Sequence, residues 1–227
     1  VAGALAALGE PGAFCARHQL PEGTPVLLYP VGDGNHSLAT AKAIWERQKA
    51  TVGPAHPSRW ALVEVENIHD PALVFAPIHR LLFGVRADLR AALAQAFGAR
   101  LRCTDMPSAA AMRAALQGLD GPRQAAGLVG PGARCSVIEI TDPPSTLAVG
   151  TLQPVIDSFV AQGGAAAIDY VHGDDVLERL AQQPGHVGLH LPTVAKGALL
   201  KRVVHEGPLP RKTFSMGEAH EKRYYVE

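Results

Sequence analysis

Apolar residues recur along this chain at two spacings, and the alternation between them sets the expected architecture. Residues 26–31 are an apolar run that reads as a buried strand, and residues 32–35 follow as a glycine turn. From 36 to 49 the period lengthens: Leu38, Ala41, Trp45 and Gln48 fall on one stripe of a helix. Residues 60–69, WALVEVENIH, alternate again. Ala61, Val63, Val65 and Asn67 form the expected core face of a strand, and Leu62, Glu64, Glu66 and Ile68 the other face. Pro71, Pro77 and Gly84 leave 70–84 partly extended.

Helices are predicted over 87–97, ended by Gly98, and over 108–117, capped by Ser108. Residues 127–140 read as a hairpin turning at Gly130-Pro131-Gly132, with its second strand at 136–140. A helix over 151–162 holds Pro154 in its first turn, where a missing N–H does no harm. Strands are expected at 165–171 and 186–191, and helices from Asp174, as cap, to 182 and over 194–204. Residues 1–9 read as a helix end closed by Gly9 and Pro11, and the tail from Gly207 is polar. Strands and helices alternate but a hairpin intervenes. This predicts an α+β fold, with α/β as the alternative: a mixed sheet with helices packed on it. The chain reads as one globular unit over 1–227, with the loop at 118–126 as a weak candidate boundary.

Composition narrows the function classes. The 227 residues are 47% hydrophobic and 19% charged, as in soluble globular proteins. Lys and Arg together number 21, as do Asp and Glu, so no overall charge favours nucleic acid or an anionic membrane. The expected partner is a small molecule; the oligomeric state is not readable. Cys15, Cys103 and Cys135 are far apart and form no CxxC pair. That speaks against a disulfide framework and a cysteine zinc site, and it fits a reducing cytoplasm. No apolar run is long enough for a membrane span, and the first residues lack the basic segment of a signal peptide. The chain also lacks an initiator Met, which suggests an upstream part.

The stretch VGDGNHSLAT, residues 31–40, sits where the expected strand becomes a helix. A helix N-terminus offers unpaired N–H groups and partial positive charge, the makings of an anion cradle. Gly32 and Gly34 let a ligand approach the main chain, Asn35, His36 and Ser37 offer donors, and Asp33 suits a metal or a hydroxyl. The alternative is that Asp33 or Asn35 caps the helix and the glycines shape the turn. The stretch is neither a Walker loop nor GxGxxG.

The stretch VGDGNHSLATAKAIWE, then GPAHPSRWALVEVENIHDPALVFAPIHRLLFG, and finally LPRKTFSMGEAHEKRYY, closely resemble the prokaryotic family called domain of unknown function 1015. The likeness runs from about Val26 to the end. Members are typically longer at the N-terminus, and the family name carries no reaction. Asp-Gly-Asn-His is also similar, more distantly, to the short element of the sulfiredoxin and ParB-like group. There that element holds nucleotide phosphates. The likeness implies a phosphate site lined by Gly34, Asn35 and His36, but Ser37 stands where that group has Arg, which removes a bidentate contact.

Other residues are candidates to complete such a site. Arg80 could supply the missing cation, with His79 as donor or proton carrier, against the alternative of a solvated loop. Glu64 and Glu66, two residues apart, could hold magnesium or act as a base, or simply face solvent. Asp70 could orient His69, or begin a turn before Pro71. Arg211 and Lys212 open a donor-rich tail able to close over an anion. His186 and His190 share a strand face, but no third ligand stands at motif spacing and HExxH is absent, so no metal ligands are assigned. His172 precedes Gly173-Asp174-Asp175, a second strand–turn–helix junction that capping explains.

The expected function is a cytoplasmic enzyme that binds a nucleotide (ATP, ADP or another, with Mg2+) or a phosphorylated small molecule. Its most concrete form is phosphoryl transfer to a small metabolite, which needs neutralised phosphates and one positioned base. Catalytic candidates are His36, Glu64, Glu66 and Asp70. The alternatives are a non-catalytic ligand-binding or regulatory module and a metal-dependent hydrolase.

Overall fold

A computed structural model describes residues 2–32, 34–117 and 123–216. Packing divides the chain into two compact units where the sequence suggested one: Val1–Ala72 with Val203–His205, and Leu73–Arg202 with Glu206–Glu227. The candidate boundary at 118–126 falls partly outside the described residues.

The first unit carries three helices, α1 (Ala2–Leu8), α2 (Pro11–His18) and α3 (Asn35–Val52). Glu10 caps α2, its carboxylate accepting from the amides of Gly12 and Ala13. In α3 the predicted stripe holds: Leu38, Ala41, Trp45 and Gln48 are half-buried while their neighbours are exposed. The two expected strands are absent. Residues 26–31 have no regular structure, and neither do residues 60–67. Leu62 is fully exposed, and Val63, Val65 and Trp60 are also solvent-facing, so neither face of that segment is a core face. Alternation makes a segment fit for a sheet, but a strand forms only against a partner that takes up its N–H and C=O groups. No such pairing exists for these segments among the described residues.

The second unit is built on one sheet of seven strands: β1 (Phe75–Phe83), β2 (Leu101–Met106), β3 (Gln124–Gly130), β4 (Arg134–Ile140), β5 (Ala167–His172), β6 (Val187–His190) and β7 (Phe214–Met216). The order is β2-β4-β3-β6-β1-β5, with β7 pairing the start of β1, and every pairing is antiparallel. The α+β class therefore holds, with an antiparallel sheet in place of the mixed one. The remaining helices are α4 (Leu89–Phe97), α5 (Ala109–Gln117), α6 (Ala148–Ala161), α7 (Asp174–Ala181) and α8 (Lys196–Glu206).

Alternation along the strands sends apolar side chains to both faces of the sheet. Leu82, Leu128, Ile138 and Leu189 pack with Leu93 of α4 and Leu152 and Ile156 of α6. Leu81, Val129, Val137 and Val171 pack with Met112 of α5 and Leu177 and Ala181 of α7. Ser108 caps α5, its Oγ accepting from Ala111 N–H at 3.1 Å, as its position predicts. Helix α6 starts at Ala148, three residues earlier than predicted, so Pro154 lies in its second turn rather than its first. Among the described residues, no helix is long and apolar enough to cross a membrane.

Candidate active site

The second strand–turn–helix junction, Val171-His172-Gly173-Asp174, is where the chemistry collects. Strand β5 ends at His172, and Gly173 turns the chain at φ 85°, a left-handed value that glycine adopts without strain. Helix α7 then begins at Asp174. Gly173, not Asp174, is the N-cap, and it makes no side-chain capping bond. The expected Asp174 cap is thus corrected. Its carboxylate reaches the sheet beneath the helix instead.

Two histidines lie there. Strands β1 and β6 pair with Arg80 opposite Leu189, so His79 and His190 face one another one step further on. Their rings stand 4.7 Å apart, and both are buried. His79 Nδ1 accepts from the Leu191 amide at 3.1 Å, so the ring proton sits on Nε2. That Nε2–H donates to Asp174 Oδ1 at 2.8 Å. Burial holds His79 neutral, with its pKa down at about 4; His190 adds repulsion, and the bond to Asp174 opposes both. Asp174 is about half exposed, at 47%.

His190 lies between two carboxylates. Its Nδ1 is 3.5 Å from Asp174 Oδ1 and its Nε2 is 3.3 Å from Glu178 Oε1. Asp174 and Glu178 are four apart on α7 and therefore share its inner face. Glu178 is ion-paired with Arg113 of α5. Although His190 is only 3% exposed, its Nε2 makes no hydrogen bond to any described residue. Burial pushes its pKa down as well.

His79, Asp174 and His190 are a group able, by residue type, to ligate a metal. The geometry does not fit one. Metal bonds of about 2.0–2.1 Å at tetrahedral angles separate two donor atoms by roughly 3.3 Å. The 2.8 Å between His79 and Asp174 is that of a direct hydrogen bond. A neutral imidazole that coordinates through Nε2 carries its proton on Nδ1, and the Leu191 N–H occupies that position. The arrangement is suited to holding and moving a proton.

The sequence candidates fall in both units. Gly32, Gly34, Asn35, His36 and Ser37 stand at the start of α3 in the first unit, while Asp33 lies outside the described residues. Gly34 is the N-cap, at φ 75°, without a side-chain capping bond, and Asn35, His36 and Ser37 are exposed. Glu64 and Glu66 are exposed on the segment that forms no strand. Asp70 Oδ1 accepts from the Ala72 amide at 2.9 Å, which is the turn-forming role. His79 and Arg80 are on β1, on opposite faces of the sheet.

Arg80 is completely buried. Its Nε donates to Gln153 Oε1 at 2.7 Å, and its other nitrogens donate to the carbonyls of Ile78, Lys212 and Arg211. Its guanidinium also covers the Tyr170 ring. The donors expected to meet a phosphate are thus engaged within the fold. Arg211 and Lys212 take part through their main-chain oxygens, while their side chains are exposed. His186, considered beside His190, bonds the Leu180 carbonyl through Nδ1 at 2.9 Å. Asp174, Glu178 and Arg113 were not among the sequence candidates for a site. For Asp174 the one signal was the likeness of His172-Gly173-Asp174-Asp175 to the opening Asp-Gly-Asn-His junction; Glu178 and Arg113 had none.

Comparison with known proteins gives a family model described as "Protein of unknown function (DUF1015)", matching residues 23–165. No curated protein and no solved structure matches the chain. The family match covers more than half of the 227 residues, and it includes both β1 and the VGDGNHSLAT stretch. On that match the chain belongs to the DUF1015 family of proteins of unknown function.

Proposed function

We propose that this protein is an enzyme acting on a small polar molecule by proton transfer, with Asp174 as the base. The observation that carries this reading is the 2.8 Å bond from buried His79 Nε2–H to half-exposed Asp174 Oδ1. His79 cannot rotate freely, because the Leu191 amide holds its other nitrogen. One carboxylate oxygen is thereby fixed, and Oδ2 has no partner among the described residues. A carboxylate held in this way at the start of a helix can take a proton from a substrate hydroxyl or amine. The test is a turnover screen of metabolite pools, with and without ATP and Mg2+, followed by mass spectrometry. Asp174→Asn should abolish any conversion while leaving the circular dichroism spectrum unchanged. A conversion that survives Asp174→Asn overturns the assignment.

A second reading is phosphoryl transfer from a nucleotide with Mg2+ held at Gly32–Ser37. It is favoured by the start of α3, where Gly34 is the N-cap at positive φ and His36 and Ser37 face solvent. A thermal-shift panel of ATP, ADP, CTP and GTP, with and without Mg2+, tests it. A stabilisation lost in His36→Ala supports this reading, and a flat panel removes it.

A further inference from the structure

The second unit also holds a concavity of about 200 Å3 whose lining includes neither Asp174 nor His79 and His190. Its wall includes Arg123, Gln124, Thr193, Arg202, Thr213 and the first turn of α6. Two guanidinium groups therefore border a small space. Arg202 is anchored by one nitrogen, which donates to the Thr146 carbonyl at 2.7 Å and to its hydroxyl at 3.3 Å. Arg123 is about half exposed, and its closest described partner is Glu139 at 3.5 Å. Both side chains retain N–H groups that no described residue takes up.

Gln124 supplies the second half of the recognition. Its Nε2 donates to the Ser145 carbonyl, which fixes which end of the amide is which. Its Oε1 is buried and has no donor among the described residues. A buried carbonyl oxygen without a donor is costly, and a ligand N–H or O–H at that point relieves it. An adjoining depression shares Arg123, Gln124 and Thr146 and adds the carboxylate of Glu206. Two cations, a buried acceptor and a carboxylate around one concavity match a compact molecule that carries an oxyanion beside a donor. A volume of about 200 Å3 suits a compact molecule, since pockets for drug-sized ligands start at about 300 Å3.

We infer that this cavity binds a small amino or hydroxy acid, its carboxylate between Arg123 and Arg202 and its amino or hydroxyl donor on Gln124 Oε1. The test is a titration of the 15N-labelled protein with L-alanine, L-lactate, propionate and inorganic phosphate at constant ionic strength. Alanine or lactate should move the Gln124 side-chain amide and the amides of residues 147–149 saturably. Propionate, which lacks the donor, should bind about tenfold more weakly, the cost of one unmade hydrogen bond to a buried group. Arg202→Gln should weaken the carboxylate probes by at least about the same factor, through loss of a charge-assisted contact. Arg123→Gln, at an exposed side chain, should do likewise and keeps the test open if Arg202→Gln fails to fold. Equal binding of propionate, unchanged binding in Arg123→Gln, or saturation by phosphate alone would overturn the inference.

Discussion

The chain has two junctions of similar local design, at Gly34 and at Gly173. Each glycine is an N-cap in the positive-φ region, each lacks a side-chain capping bond, and each is flanked by histidine and acidic residues. Their surroundings differ. Ahead of Gly34 the chain forms no strand, and His36 and Ser37 look into solvent. Ahead of Gly173 runs β5, and beneath Asp174 lies a sheet that presents two buried histidines. Local sequence sets the turn and the helix start. A fixed, directional carboxylate requires residues from other strands, and among the described residues the second junction has them.

That contrast can be strained from several directions. The largest effect is expected from Arg80→Met, directly behind His79 on the other face of β1. Removing the guanidinium strips donors from the Ile78, Lys212 and Arg211 carbonyls, at a cost of about 3–5 kcal/mol. Urea unfolding followed by far-UV circular dichroism measures it, and a loss below about 1 kcal/mol would mean that the second unit does not depend on this buried framework.

Next comes acidification. The folded pKa of His79 is about 4, below the ordinary 6.5 of an unfolded chain. Above 6.5 both states are neutral and the stability is complete. As pH falls from 6.5 towards 4, the unfolded chain takes up the proton first, so folding weakens by up to about 3 kcal/mol. His79→Gln should flatten that part of the pH–stability curve, whereas an unaltered slope would assign the effect to other groups. A smaller change, about 1–2 kcal/mol, is expected for Asp174→Asn, which removes a charge-assisted hydrogen bond and a helix-start anion. The smallest is His36→Ala, below about 0.5 kcal/mol, because the ring is exposed. Equal losses in these two variants, read from the same denaturation series, would erase the distinction between the junctions.

Much of the second unit was legible from local pattern. The α4 and α5 caps, the β3–β4 hairpin and the positions of β5 and β6 follow from turn chemistry and periodicity within a few residues. The stripe of α3 was equally readable. The segments at 26–31 and 60–67 misled because alternation records fitness for a sheet, not the presence of a neighbour. The site was hidden for a related reason. Pairing β1 with β6 brings together His79 and His190, and no local signal in either segment encodes that partnership. Asp174 looked like an ordinary cap because it stands one residue after the N-cap position, which Gly173 takes. Arg80 looked like a free cation because nothing nearby in sequence discloses that the carbonyls of residues 211 and 212 return to meet it.

The exposed Trp60 of the first unit has a practical consequence. Trp45 and Trp60 are the chain's two tryptophans, and both belong to that unit. Selectively excited indole emission therefore follows the first unit alone and is silent on the unfolding of the sheet that carries Asp174. Trp60 is already 70% exposed in the native state, so its spectrum should shift little on denaturation. The half-buried Trp45, on the inner stripe of α3, should supply most of the fluorescence change. A fluorescence melt and a circular dichroism melt of the same sample would then resolve the two units without any label.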